Sequence, residues 1–219
     1  NVFLVPHHSD AISVYPPVID AIGKADYIVI GPGDLFTSII PGLIVPGVKE
    51  ALQSTQARVL YVINIMTKYG ETHQFSARTF VRRLEEVIQR GVDGVLCNMQ
   101  EPETPILKEY RRQKAKFVRI ETENEFWGER HLYTGDLLDS SGGIVRHDSQ
   151  KLADTLTSER IELNVLNCDR YADSIREVVK QKDRYNPEWP VIAMQLEVGE
   201  PDMEAAMSAG ACDLVSTTR

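Results

Sequence analysis

The sequence predicts an α/β chain. Its main body is a mainly parallel sheet with flanking helices, and a small C-terminal βαβαβ extension follows. Three observations lead there. Short apolar runs, rich in β-branched residues, recur at Tyr27-Ile28-Val29-Ile30, Val59-Leu60-Tyr61-Val62-Ile63 and Gly94-Val95-Leu96-Cys97. Runs without polar alternation suit strands buried on both faces. Amphipathic stretches separate them, which is the βαβ order of a parallel sheet. Each run also stops at glycine or a polar side chain, so the carboxyl edge of the sheet is predicted to be polar. Residues 1–157 are expected to form the main domain and 158–219 the extension.

Taken in order, Val2-Phe3-Leu4-Val5 reads as a short strand ended by Pro6. A helix opens at Pro16-Pro17, with Val18, Ile19 and Ile22 inward, and Gly23 closes it. The strand Tyr27–Ile30 then meets Gly31-Pro32-Gly33-Asp34. Gly-Pro-Gly turns the chain without side-chain bulk, and Asp34, Thr37 and Ser38 follow within about one helical turn. In an open parallel sheet this is where ligands bind. A helix from about Thr37 would aim N–H groups at the same place. An ordinary strand–turn–helix corner capped by Asp34 is the alternative.

Two Pro-Gly pairs, Pro41-Gly42 and Pro46-Gly47, predict an interrupted helix. Val48 to Ser54 reads as a short helix, and Arg58 to Asn64 as a second strand. That strand also leads into a polar, glycine-containing loop with Asn64, Thr67, Gly70, Glu71 and Thr72. Two such loops in neighbouring βα units would face one crevice. Ser76 to Arg90 is the clearest helix, with Phe80, Val81, Leu84, Val87 and Ile88 inward and Gly91 at its end. Its Arg82-Arg83 pair reads as a solvated face. The third strand ends at Asn98, and Cys97 reads as a small core residue. A helix is expected near Leu107–Tyr110, a short strand at Phe117–Ile120, another short element within 132–138, and a helix from Ser149 to Leu156.

Net charge is −8. This argues against a general nucleic-acid or anionic-membrane binder, while leaving room for one phosphate among backbone N–H groups. The three cysteines, Cys97, Cys168 and Cys212, match no zinc or redox spacing. Their odd number suits a reducing compartment, so a cytoplasmic location is expected. No apolar run reaches the ~18 residues of a membrane span. Pro6-His7-His8-Ser9-Asp10 interrupts the apolar start, unlike a signal peptide.

Arg146-His147-Asp148 is the third polar cluster. Arg146 can grip a phosphate or carboxylate with two parallel bonds. His147 can act as a general acid or base. Asp148 can accept from a sugar hydroxyl, hold a metal, or simply cap the helix that follows. No paired cysteines, His-x-x-x-His or Gly-x-Ser-x-Gly supports zinc chemistry or serine hydrolysis. No residue is assigned a catalytic role.

Residues Ala25 to Pro41 resemble the "AD-IVIGPGSLYTSILP" segment of the gluconeogenesis-factor (YvcK-like) proteins, which share a superfamily with the 2-phospho-L-lactate transferases (CofD-like). Asn64 to Thr72 resembles their "N-MTQ-GET", and Ile144 to Asp148 with Lys151-Leu152-Ala153 resembles their "IRHD--KLA". Asp34 stands where Ser is usual, and Phe36 where Tyr is usual. The likeness is stronger to the regulator branch.

The resemblance implies a Rossmann-like fold that binds a nucleotide-linked ligand. In the regulator branch this is a UDP-sugar such as UDP-N-acetylglucosamine, with a role in carbon metabolism and cell-wall synthesis. The transferase branch uses a guanylated phospholactate donor, a deazaflavin acceptor and magnesium. Tyr110 and Arg146 fall where an aromatic ring and a guanidinium would hold base and diphosphate. With Asn98, they complete the expected ligand set of Gly31, Pro32, Gly33, Asp34, Thr37, Ser38, Asn64, Thr67, Gly70, Glu71 and Thr72. The partners expected are the nucleotide ligand, no nucleic acid and no membrane, with a homo-oligomer left open. The family's glycine-rich phosphate loop is expected upstream of Asn1, so the chain is read as the C-terminal portion of the family fold.

Pro190 to Met194 and Met203 to Val215 resemble the last half of a response-regulator receiver. Gln195 stands at its usual Thr, Ser216 or Thr217 at its usual Lys, and Asn167-Cys168, with Asp169 beyond, at the phospho-acceptor. Such a receiver would be degenerate or incomplete. A generic βαβ extension is the alternative.

Overall fold

A computed structural model describes residues 2–6, 11–120, 122, 125–128, 130–139, 141–157, 191–195 and 214–216. The fold is α/β and Rossmann-like. Its strands are β1 (Tyr27–Ile30), β2 (Arg58–Val62), β3 (Gly94–Asn98), β4 (His131–Gly135), β5 (Val191–Gln195) and β6 (Leu214–Ser216), in the order β4-β3-β2-β1-β5-β6. The α-helices are α1 (Pro16–Lys24), α2 (Ile40–Leu43), α3 (Val48–Ser54), α4 (Ala77–Ile88), α5 (Thr104–Arg112) and α6 (Ser149–Thr157). The chain divides into two compact units. One takes Asn1–Val62, Thr79–Gly94 and Glu188–Arg219, and the other Ile63–Arg78 and Val95–Pro187.

In the first unit β1 and β2 pair in parallel, Tyr27 opposite Arg58 and Ile30 opposite Tyr61. All four β1 side chains are buried. Burying an aliphatic side chain of this size contributes about 1.5–3 kcal/mol, which is why the run folds as a central strand. β5 joins β1 antiparallel, and β6 joins β5 in parallel. The Thr55 hydroxyl donates to the Ile22 carbonyl at 2.7 Å, tying α1 to the end of α3. Arg90 donates to the carbonyls of Leu52, Thr55 and Ala57 and pairs with Asp93 at 3.1 Å. Asp93 in turn accepts the Val59 N–H at 2.7 Å, so one guanidinium and one carboxylate fix the entry to β2.

Several boundaries differ from expectation. Residues 2–6 carry no strand, and Phe3 and Val5 are 76% and 71% exposed, because no ladder partner among the described residues covers them. α1 runs through Gly23 to Lys24. The segment after β1 opens at Leu35, two residues before Thr37, as a π-helix over Leu35–Ile39. Ser38 and Ile39 N–H both donate to the Asp34 carbonyl, at 2.8 and 3.1 Å. Pro41 explains the wide turn: its ring crowds the carbonyl four residues back, that of Thr37, and it has no N–H to give. α4 ends at Ile88, and Gln89, not Gly91, takes the left-handed position with φ 53°.

In the second unit Phe117 makes a single antiparallel bridge to Met66 in place of the expected strand. A second bridge joins Leu138 to His147. β4 occupies the place foreseen within 132–138. Within the extension the sequence predicts strands at 163–167, 190–194 and 213–215 and helices at 171–182 and 201–209. β5 and β6 fall at the second and third of these strands, and the strand at 163–167 and both helices lie outside the described residues.

Candidate functional site

Of the three expected polar clusters, Gly31–Ser38 belongs to the first unit. Asn64–Thr72 and Arg146 belong to the second, as do Asn98 and Tyr110.

In the first unit, buried β1 delivers the chain to Gly31, which is itself buried. Pro32, Gly33, Asp34 and Ser38 are half-buried and Thr37 is exposed. Asp34 precedes the π-helix without bonding its N–H groups through the side chain, so the capping alternative is not what Asp34 does here.

In the second unit, backbone and side-chain bonds pin the loop after β2. Thr67 N–H donates to the Lys116 carbonyl at 2.8 Å, and the Thr67 hydroxyl oxygen accepts Lys116 N–H at 2.9 Å. The Thr72 oxygen accepts Lys68 N–H at 3.0 Å. Both threonines are buried, so their hydroxyls shape the loop. Gly70 has φ +85°, a left-handed turn that a side chain would strain, and open space lies above it. Glu71 Oε1 meets Lys68 Nζ at 2.9 Å. Glu71 Oε2 and His73 Nδ1 are buried without a hydrogen-bond partner among the described residues. Such atoms are costly unless something satisfies them. The spacing of the motifs does not single out His73. Its place two residues after Glu71 is the signal that could have.

Asn98 is buried, and its amide is engaged at both ends. Nδ2 donates to the Gln100 carbonyl at 2.7 Å, and Oδ1 accepts Leu137 N–H at 2.9 Å, tying the exit of β3 to that of β4. Asp148 Oδ1 accepts Lys151 N–H at 2.9 Å, three residues into α6, so Asp148 is the helix cap.

α5 links the loop after β2 to the Arg146 segment. The Tyr110 hydroxyl oxygen accepts Val145 N–H at 3.1 Å, which seats Tyr110 beside the residue preceding Arg146. Four residues on, Lys114 Nζ lies 4.5 Å over the Tyr69 ring and 3.4 Å from its hydroxyl. Arg146 is exposed. Its charge helps hold the Asp139 carboxyl below the usual range, although the hydrogen bonds from Ser141 are the larger cause. Among the described residues no three His, Cys, Asp or Glu side chains gather to hold a metal ion. Cys97 is buried, and burial pushes its thiol far up, so it is no nucleophile. Among the described residues no single helix is long and apolar enough to cross a membrane.

Comparison with known proteins agrees with this architecture. The family described as 2-phospho-L-lactate transferase CofD matches residues 1–137. A Thermotoga maritima protein provisionally named gluconeogenesis factor is 41% identical over 155 residues, covering 68% of this chain and 48% of that protein. The gluconeogenesis factor of Bacillus subtilis is 33% identical over 157 residues, covering 71% and 49%. A crystal structure of a Bacillus halodurans protein of the UPF0052 family superimposes with TM-score 0.62 at 28% identity, covering 67% of this chain and 47% of that one. The chain spans about half the length of the curated relatives it matches.

Proposed function

The chain belongs to the CofD family, and from that premise we propose that it is a nucleotide-sugar-binding regulatory protein that takes a UDP-sugar without turning it over. Its role in this reading concerns carbon metabolism and cell-wall synthesis, in keeping with relatives named gluconeogenesis factor. The observation that carries the reading is the bond from Val145 N–H to the Tyr110 hydroxyl. It seats the Tyr110 side chain beside the residue preceding exposed Arg146. A ring can stack on a nucleobase, and a guanidinium binds a diphosphate with paired hydrogen bonds. In the same unit, the loop with Glu71 adds an acceptor for sugar hydroxyls.

A thermal-shift panel tests this. UDP-N-acetylglucosamine at a hundredfold its dissociation constant would stabilise the folded chain by about 2.7 kcal/mol, and a matched guanine nucleotide would not. No shift with any UDP-sugar would refute the reading.

The family's description as a transferase favours a second reading, transfer of phospholactate to a deazaflavin. Magnesium accompanies that chemistry. Product formed from a guanylated phospholactate donor and a deazaflavin acceptor would replace the first reading with this one.

A further inference from the structure

Lys68, Tyr69, Glu71 and His73 stand on one turn-rich loop of the second unit. The Tyr69 ring is 54% exposed, although it is large and mostly apolar. The His73 ring lies 5.4 Å from it, tilted by 56°. Between them in sequence, Gly70 leaves open space where a side chain would otherwise stand. The Glu71 side chain is only 18% exposed, and its Oε1 pairs with Lys68 Nζ at 2.9 Å. Glu71 Oε2 and His73 Nδ1 are both buried, and neither has a hydrogen-bond partner among the described residues. Buried polar atoms are satisfied in nearly all folded proteins, so two unmet ones on a single short loop point to a partner brought from outside the chain. The carboxylate oxygen can only accept, and the imidazole nitrogen can accept or donate.

We infer that Tyr69, Glu71 and His73 form the subsite for the sugar ring of the ligand. This rests on the UDP-sugar reading and adds to it the side chains that read the sugar. The face of an aromatic ring is negative, and the C–H bonds on the apolar face of a pyranose are weakly positive, so the two stack. The sugar hydroxyls then lie at the rim of the ring, where each can both donate and accept. One donates to the Glu71 carboxylate, and its neighbour bonds to His73 Nδ1. Rotation about the last bond of Glu71 is soft, so either carboxylate oxygen can turn to a hydroxyl. The negative charge of Glu71 disfavours a phosphate in the same place. Lys114, four residues after Tyr110, holds its Nζ 4.5 Å over the Tyr69 ring. The subsite therefore adjoins the segment given to base and diphosphate.

The experiment compares UDP-N-acetylglucosamine with UDP by calorimetry on the full chain. The wild type is expected to bind the nucleotide sugar roughly tenfold more tightly than UDP, the gain from a stacked ring and paired hydrogen bonds. Tyr69→Ala and His73→Ala are each expected to shrink that preference to about threefold or less while leaving UDP affinity unchanged. His73→Asn, whose amide offers a hydrogen-bonding atom near the place of Nδ1, is expected to restore most of the preference. A merely structural role for His73 would not give that rescue. Far-ultraviolet circular dichroism and thermal melting establish that each variant is folded. A preference unchanged in both alanine variants overturns the inference and leaves the UDP-sugar reading standing, as does a wild type that binds the two ligands equally. Equal losses for UDP and the nucleotide sugar in the folded variants also overturn it, by giving these side chains to the nucleotide half or to the shape of the loop. A wild type that binds neither ligand overturns both readings.

Discussion

The hydroxyl oxygen of Tyr110 accepts the backbone N–H of Val145 at 3.1 Å. This bond joins α5 to the segment that carries Arg146. Tyr110→Phe removes the acceptor and leaves a half-buried N–H without a replacement. The expected cost is about 0.5–1.5 kcal/mol in stability, the range for one neutral hydrogen bond. UDP-sugar affinity is expected to fall several-fold as Arg146 loses its anchor. Urea titration and calorimetry read the two effects separately, and a variant with unaltered affinity would detach Tyr110 from ligand positioning.

Gly47 is needed for its backbone. Its φ is 100°, and a Cβ there would lie 2.8 Å from Cγ1 of Val14. Its N–H also donates to Glu50 at 3.0 Å, closing the start of α3. Gly47→Ala meets both the left-handed penalty and a clash, so a loss of about 1–3 kcal/mol is expected. Chemical denaturation checks this; a change within about 0.5 kcal/mol, the size of an ordinary surface substitution, would show that Val14 moves aside freely.

Asp136 and Lys151 define an acid-sensitive contact. Lys151 Nζ donates to Asp136 Oδ2 at 2.7 Å, and this hydrogen bond is the main reason the Asp136 carboxyl lies below its usual 3.8. A carboxyl whose folded value is lowered adds stability above its unfolded value. That contribution is lost as pH falls through the folded value. Melting temperature should therefore drop more steeply below about pH 4 in the wild type than in Asp136→Asn. Parallel acid profiles for the two proteins would mean that the pair contributes nothing.

Cys97 is buried in β3, and its thiol is held protonated by burial. A maleimide at neutral pH should leave it unmodified in the folded chain and label it fully in denaturant. Peptide mapping by mass spectrometry distinguishes it from Cys168 and Cys212. Rapid native labelling of Cys97 would show that β3 opens readily.

Much of the fold was legible because burial writes itself into composition. Tyr27–Ile30 has no polar residue and is buried throughout, and the apolar positions of α4 fall at helical spacing. What was not legible depended on partners. Val2–Val5 has strand composition, but composition cannot supply a neighbouring ladder. The break at Pro41 was legible in the sequence, but the wide turn over Leu35–Ile39 that precedes it was not. At the site, a polar residue ending a buried strand has two uses that sequence does not separate. Asn98 ties β3 to β4, and Asp148 caps α6, whereas Arg146 is left exposed. The side chains most easily read as ligands were thus divided between building the loops and facing outward.

Isothermal calorimetry of UDP-N-acetylglucosamine against the wild type and Arg146→Ala tests the functional claim most directly. A saturable one-to-one isotherm is expected for the wild type. The folded variant should bind roughly 10- to 100-fold more weakly, the loss of a charged hydrogen bond worth about 1.5–3 kcal/mol. No heat from the wild type, or equal affinity in the folded variant, would contradict the account.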